Sequence, residues 1–546
     1  MKKISYINCK EERNVFMMTY FDYIKENPRI DNEPILLAKV GSQIHELADC
    51  VENENENIEF LTTKNKVGMR VYKRSLTYLF LSAARIVAPE HKVEVLFPLG
   101  DAVYIESTDP YFHDSLKQIK ATMNEWIKQN LVFKKEVVSL SNAMKYFKEN
   151  GMVEKEKLFS YRRISSITLY DLNGMKNYFY GDLVYSTGVL TNYQVHPFKN
   201  GALLCFPNHK TPNAIQNPQN HKKLYNKLYE TAQWARRLDA KTIGDLNNAI
   251  VNGNMDRIIL MQEAAMERNI ADIAENIING NKKFVLIAGP SSSGKTSFSN
   301  RLAIQLQTQG LNCHTIAQDD YFRNRDDIPV DENGERNFES IDIVDLALFD
   351  SDMTRLMNGE TVEIPRFNFI TGCREYNGKH IIKLKEHDVV IIEGIHCLNP
   401  RFLPSVNPYR IYISALTPLN IDEHNRISSS DLRMLRRMAR DIKHRGTDPS
   451  ATIKGWHKVR AGEEENIFPY QENADVIFNS SLVYEVPMMK TLVEPMLFSV
   501  PRDSNEWVEA KRMLKFLDFF LAYPSDLVPN NSILQEFLGG SVFDVG

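Results

Sequence analysis

The segment Gly289-Pro-Ser-Ser-Ser-Gly294-Lys295-Thr296 constrains the chain more than any other. It has the form Gly-x-x-x-x-Gly-Lys-Thr. An apolar run, Phe284-Val-Leu-Ile-Ala288, leads into it, and a helical stripe at Phe298, Leu302 and Leu306 follows. Strand, loop and helix are the context in which this pattern carries chemistry. The glycines let backbone N–H groups turn inward around phosphate oxygens, and the helix N-terminus adds partial positive charge. Gly289, Pro290, Ser291, Ser292, Ser293, Gly294, Lys295 and Thr296 are therefore the expected cradle for a nucleotide. Lys295 reaches the β/γ-phosphates and the Thr296 hydroxyl holds Mg²⁺. The strand must be buried, so the C-terminal half is expected to be α/β.

Three further features extend this expectation. The strand Val389-Val-Ile-Ile392 ends in Glu393-Gly394, and a carboxylate there can hold Mg²⁺ or its waters. The strand Thr315-Ile-Ala317 ends in Asp319 and Asp320; one can accept the proton of an attacking hydroxyl and the other then caps a helix or supports the site from behind the first. In 431–445, Arg433, Arg436 and Arg440 have spacings of 3 and 4 and share a helix face. On a lid they would stabilise the charge of a moving phosphoryl group. No Asn-Lys-x-Asp signature follows the loop, so ATP is the expected donor.

The chain has 546 residues, 43% of them hydrophobic and 25% charged, with a formal net charge of -4. That excludes a collagen-like, coiled-coil or wholly disordered chain and does not favour a large nucleic-acid surface. Its six cysteines form no Cys-x-x-Cys pair. The N-terminus lacks a signal-peptide core and no apolar run reaches 18 residues, so a cytoplasmic protein is expected. Short strands are expected at 34–40 and 58–62, a helix at 69–88, strands within 93–105 and 178–207, and a helix through Met266, Ile270, Ile273 and Ile277. From 284 to about 500 strands alternate with helices, which implies a mostly parallel, doubly wound sheet. The expected divisions are 1–64, 65–215, a helical linker 216–280, 281–500, and a helical extension 501–546.

Residues 284–482 resemble the uridine kinase and phosphoribulokinase group. The resemblance is carried by Gln318-Asp319, Asn337-Phe338-Glu339, Pro365-Arg-Phe367-Asn368-Phe369, Glu393-Gly394-Ile395 and the arginine-rich segment from Asp431 to Gly446. It implies that Asp319 takes the proton from a nucleoside 5′-hydroxyl. Glu339 would hold the ribose hydroxyls, Phe367 and Phe369 would line the base pocket, and Arg374 closes that segment. The chain departs from the group at Gly372, where the group has His, at Glu339 in place of Asp, and at Thr447 in place of a lid arginine.

Residues 34–207 resemble the front of threonyl-tRNA synthetase, its TGS domain and its editing domain. Leu37-Ala38-Lys39-Val40-Gly41, Ile58-Glu59-Phe60-Leu61-Thr62, Lys73-Arg74-Ser75 and Leu183-Val-Tyr-Ser-Thr-Gly188 carry it. This implies a small β-grasp-like domain and an α+β editing-like domain. The editing ligands fall on Arg74, Tyr78, Phe179 and Leu183, so no editing chemistry is expected. The combination resembles a bacterial family of nucleoside kinases nearly end to end, including Gly462-Glu463-Glu464, Asn531-Ser-Ile-Leu534 and Glu536-Phe537-Leu538-Gly539-Gly540-Ser541. The apolar content of these last motifs points to domain packing and a loop over the acceptor site.

The expected function is MgATP-dependent phosphoryl transfer to a nucleoside. The alternatives are a sugar or polyol acceptor, and an ATP-gated RNA-binding protein using Lys64, Lys66, Arg70, Lys73 and Arg74. The resemblance also implies a homo-oligomer.

Overall fold

A computed structural model describes residues 18–51, 57–215, 221–328, 340–368, 370–444 and 446–545. Glu339 and Phe369 lie outside the described residues.

The phosphate strand β1 (Phe284–Ala288) sits in the middle of a five-stranded sheet with β2 (Asn312–Ala317), β3 (Asp388–Glu393), β4 (Tyr409–Ser414) and β5 (Val476–Asn479). Their order is β2-β3-β1-β4-β5, and every neighbouring pair is parallel. Near-continuous apolar strands suit this sheet because both faces are covered. Val285, Ile287, Val389, Ile391, Ile411 and Ile413 enter one core. Their neighbours Phe284, Leu286, Ala288, Val390, Ile392 and Tyr412 enter the other. Three helices matter to the site: α1 (Lys295–Thr308), α2 (Ser429–His444) and α3 (Pro449–Asn466).

The second core runs on past the sheet. It also holds Phe97, Leu99, Tyr104, Leu203 and Cys205 from the N-terminal half, and Leu224, Tyr225 and Leu228 from helix Lys222–Arg237. Helix Met255–Asn279, capped by Gly280, buries Ile259, Met266, Ile270, Ile273 and Ile277 in the first core. The helices of 222–279 are thus packed elements of both cores and not a tether.

The N-terminal half opens with an antiparallel sheet in which Glu33–Val40 pairs with Arg29–Ile30, Gln43–Glu46 and Ile58–Thr62. Helix Lys66–Val87 follows, capped by the Asn65 side chain. A second antiparallel sheet has the order Gln194–Phe198, Gly201–Cys205, Ala102–Ser107, Val93–Leu99. Arg74 donates to Asp182 O at 2.6 Å, the Tyr78 and Phe179 rings lie 4.8 Å apart, and Leu183 is buried with its N–H on Glu46. Tyr78, Phe179 and Leu183 are packed aromatic and apolar side chains, and Arg74 is tied to backbone. Of the basic residues weighed for RNA, Lys64 pairs with Asp31 and Lys73 with Asp101, while Lys66 and Arg70 are exposed.

The two halves are clasped at the loop between β4 and α2. Lys155, fully buried, reaches Asp422 at 3.1 Å and Glu423 at 2.9 Å. Val95 N–H donates to Glu423 O at 2.9 Å, Ile243 N–H to Asn420 O at 2.9 Å, and Tyr180 N–H to Asn425 Oδ1 at 2.9 Å. The C-terminal segment is helical over Trp507–Leu517 and Gln535–Leu538; between and beyond them it is irregular. Arg512 grips Asp431, at the start of α2, through both carboxylate oxygens at 2.7 and 2.8 Å. No helix among the described residues is long and apolar enough to cross a membrane.

Candidate active site

The loop between β1 and α1 turns through two residues with left-handed backbone, Ser292 (φ 57) and Gly294 (φ 83). Gly289 admits no side chain: a Cβ there would lie 2.2 Å from Ile413 O. Gly289→Ala is therefore expected to weaken MgATP binding and to cost about 1–3 kcal/mol of stability through overpacking. A MgATP titration and a melting curve check both.

Lys295 folds over the loop and donates to Gly289 O at 3.0 Å and Pro290 O at 3.3 Å. The Thr296 hydroxyl faces both Glu393 oxygens at 3.3 and 3.4 Å. Glu393 stands at the end of β3, next to β1, so parallel register alone brings it to the loop. Asp319 follows the end of β2 on the other side of β3. Burial pushes the Glu393 carboxyl up to about 7; Lys295 opposes this, while Glu536 and Asp319 add to it. Burial also lowers Lys295, helped by Arg440. The loop, Thr296, Glu393, Asp319 and Arg440 therefore share one electrostatic neighbourhood. The buried hydroxyls of Ser292 and Ser293 have no hydrogen-bond partner. A polar cradle of this kind fits a phosphate group.

The arginine face of α2 meets protein carboxylates. Arg433 pairs with Glu463 of α3 and donates to Ser291 O at 3.0 Å. Arg436 pairs with Glu485 at 2.6 Å and donates to Ser480 O at 2.9 Å. Both are almost wholly buried. Arg440 pairs with its neighbour Asp441 at 3.0 Å, and Arg437, which lies four residues after Arg433 and three before Arg440, donates to Ser291 Oγ at 2.9 Å. Glu463, which also accepts from Ser291 N–H at 3.2 Å, joins α2 and α3 to the loop. The sequence shows Glu463 only as part of the motif Gly462-Glu463-Glu464, with no chemistry attached.

Across β3 lies a hairpin, Arg366–Asn368 paired with Cys373–Glu375. Buried Asp320 anchors it, pairing with Arg366 at 3.1 Å and accepting from Phe367 N–H at 3.2 Å. The Phe367 ring meets Phe322 edge-on at 5.6 Å. Arg374 pairs with Asp345 at 3.2 Å. Gly372 has φ 72, and a Cβ there would lie 2.9 Å from the side chain of Arg325. Among the described residues no group of three or more His, Cys, Asp or Glu side chains could by itself hold a metal ion.

Residues 284–487 match the profile of the Phosphoribulokinase / Uridine kinase family. Uridine kinases of Staphylococcus epidermidis and Staphylococcus aureus are each 31% identical over 192 residues, covering 35% of this chain and 84% of theirs. The chain belongs to the phosphoribulokinase/uridine kinase family. Its family domain begins at the phosphate strand and ends within the helix that follows β5. Among solved structures, a possible uridine kinase from Bacillus stearothermophilus aligns with TM-score 0.27 and 17% identity, over 39% of this chain and 98% of that one. D-glycerate 3-kinase from Cryptococcus neoformans aligns with TM-score 0.21 and 14% identity, over 52% of this chain and 90% of that one.

Proposed function

We propose that the chain transfers the γ-phosphoryl group of MgATP to the 5′-hydroxyl of a nucleoside. The observation that carries this is the convergence of Lys295, the Thr296–Glu393 pair and Asp319 at adjacent strand ends. Lys295 and the loop amides bind the phosphates, and Thr296 and Glu393 would hold Mg²⁺. Mg²⁺ would supply charge compensation between the β- and γ-phosphates. Asp319 accepts the proton of the attacking hydroxyl. Arg437, which donates to Ser291 Oγ, and Arg440, whose charge is felt by Lys295, offset developing charge. Arg433 and Arg436, through Glu463 and Glu485, keep α2 against the loop. Phe367 and Arg374 belong to the acceptor side, and Glu339 and Phe369 are assigned there by resemblance.

A second reading keeps the kinase and changes the acceptor to a sugar or polyol. It is favoured by Gly372, whose side-chain position is filled by Arg325 where the resemblance places a His. ADP release from MgATP across ribonucleosides, deoxyribonucleosides, sugars and polyols separates the two. One strong nucleoside hit supports the first reading; silence on every nucleoside with turnover on a sugar supports the second. The N-terminal half we assign to a scaffold without editing chemistry.

Glu393 gives this proposal a pH signature. Its carboxyl, at about 7, lies above the ordinary 4.5. Its contribution to stability is therefore complete below pH 4.5 and lost as the pH rises through 7. Mg²⁺ needs the carboxylate, so metal binding releases a proton near neutrality. The Mg²⁺ needed for half-maximal ATP binding is expected to fall several-fold from about pH 6 to about pH 8. In a Glu393→Gln protein that fall should disappear.

A further inference from the structure

The first N–H of α1 to bond back along the helix is that of Phe298, to Gly294 O at 3.1 Å. The amides of Lys295, Thr296 and Ser297 lie ahead of the helical ladder, and such amides are what a phosphate takes at a helix N-terminus. One of them is already taken. Ser297 N–H donates to Glu536 Oε2 at 3.3 Å, and Ser297 Oγ donates to the same oxygen at 2.8 Å. Glu536 comes from the four-residue helix near the C-terminus and is 4% exposed. Around it, the Ile533 methyl lies where a Gly294 Cβ would be 2.5 Å away, and Arg436 lies 4.9 Å over the Phe537 ring. Lys443 of α2 holds Leu538 O. Ser532 donates to Glu263 at 2.6 Å. The short helix ends at Gly539, whose φ of 78 suits a pivot.

We infer that Ser532–Leu538 is a plug in the nucleotide site, with the Glu536 carboxylate standing in for a phosphate on Ser297. A carboxylate and a phosphate cannot share one N–H and one hydroxyl, and their like charges repel. Nucleotide entry therefore requires Glu536 to leave Ser297, and the C-terminal segment reports whether the loop is occupied. The plug rests on the nucleotide reading proposed above. The carboxylate also brings a third negative group to the neighbourhood of Glu393 and Asp319, so its departure favours a bound triphosphate further.

Two measurements on the full chain test this: MgATP titration of wild type and Glu536→Gln, and backbone amide exchange of residues 532–541 in wild type with and without MgATP. A site closed about nine-tenths of the time weakens apparent affinity about tenfold. Glu536→Gln is accordingly expected to bind MgATP about tenfold more tightly, and MgATP is expected to speed exchange in the wild-type tail. Equal or weaker binding by Glu536→Gln, or a tail whose exchange MgATP slows or leaves unchanged, overturns the plug while leaving nucleotide binding intact. MgATP binding by neither protein overturns the nucleotide reading and the plug together.

Discussion

Lys295→Ala should lower MgATP-dependent phosphoryl transfer by roughly 10²–10³-fold, the scale on which one preorganised charge donor acts in a desolvated site. Lys295 is the loop's own cation, held by the carbonyls of Gly289 and Pro290 and facing Glu393. Of the α2 arginines, Arg433 and Arg436 are paired with Glu463 and Glu485 and cannot replace it. The fold should survive, because burial disfavours this lysine's charge. The check is ADP release with the best acceptor beside a melting curve. An unchanged melting temperature with full turnover would remove Lys295 from the mechanism and the phosphate-loop reading with it.

Lys155→Met is expected to have the largest effect on stability, about 3–5 kcal/mol, because it leaves Asp422 and Glu423 buried without their cation. Lys155 lies in the N-terminal half, far in sequence from the phosphate loop. Yet the loop it holds leads directly into α2, whose Arg433 and Arg437 touch Ser291. The variant should therefore lose affinity for MgATP as well as thermal stability. Adding Asp422→Leu should recover part of the loss by removing one of the stranded charges. A Lys155→Met protein with wild-type melting and wild-type ATP affinity would show that the clasp carries neither load.

What was legible in the sequence is what local pattern determines. The run 284–308 alternates buried strand, glycine turn and helical stripe within a few residues, and strand, loop and helix lie there. Glu393 was legible because a polar residue ending an apolar strand is forced to the strand's tip. The spacing of Arg433, Arg436 and Arg440 gives a shared helix face, but periodicity says nothing of what that face meets. Here Arg433 and Arg436 meet Glu463 and Glu485, which lie 30 and 49 residues further on. Glu536 was illegible for the same reason, since 239 residues separate it from Ser297. The expected helical linker, 216–280, rests on local pattern alone; the apolar stripes of its helices over 222–279 close two cores, which only tertiary packing reveals.

That long separation has a consequence for how the protein is made. Translation proceeds at about 5–20 residues per second. The phosphate loop therefore leaves the ribosome roughly 10–50 s before the segment that covers Ser297 is synthesised. The clasp partners Asp422 and Glu423, and then Arg512, also arrive after it. Throughout that interval the nascent chain carries an uncovered phosphate loop. Strands β3, β4 and β5, which build the sheet around β1, are also made after the loop, so the site is assembled late in synthesis and its cover arrives last.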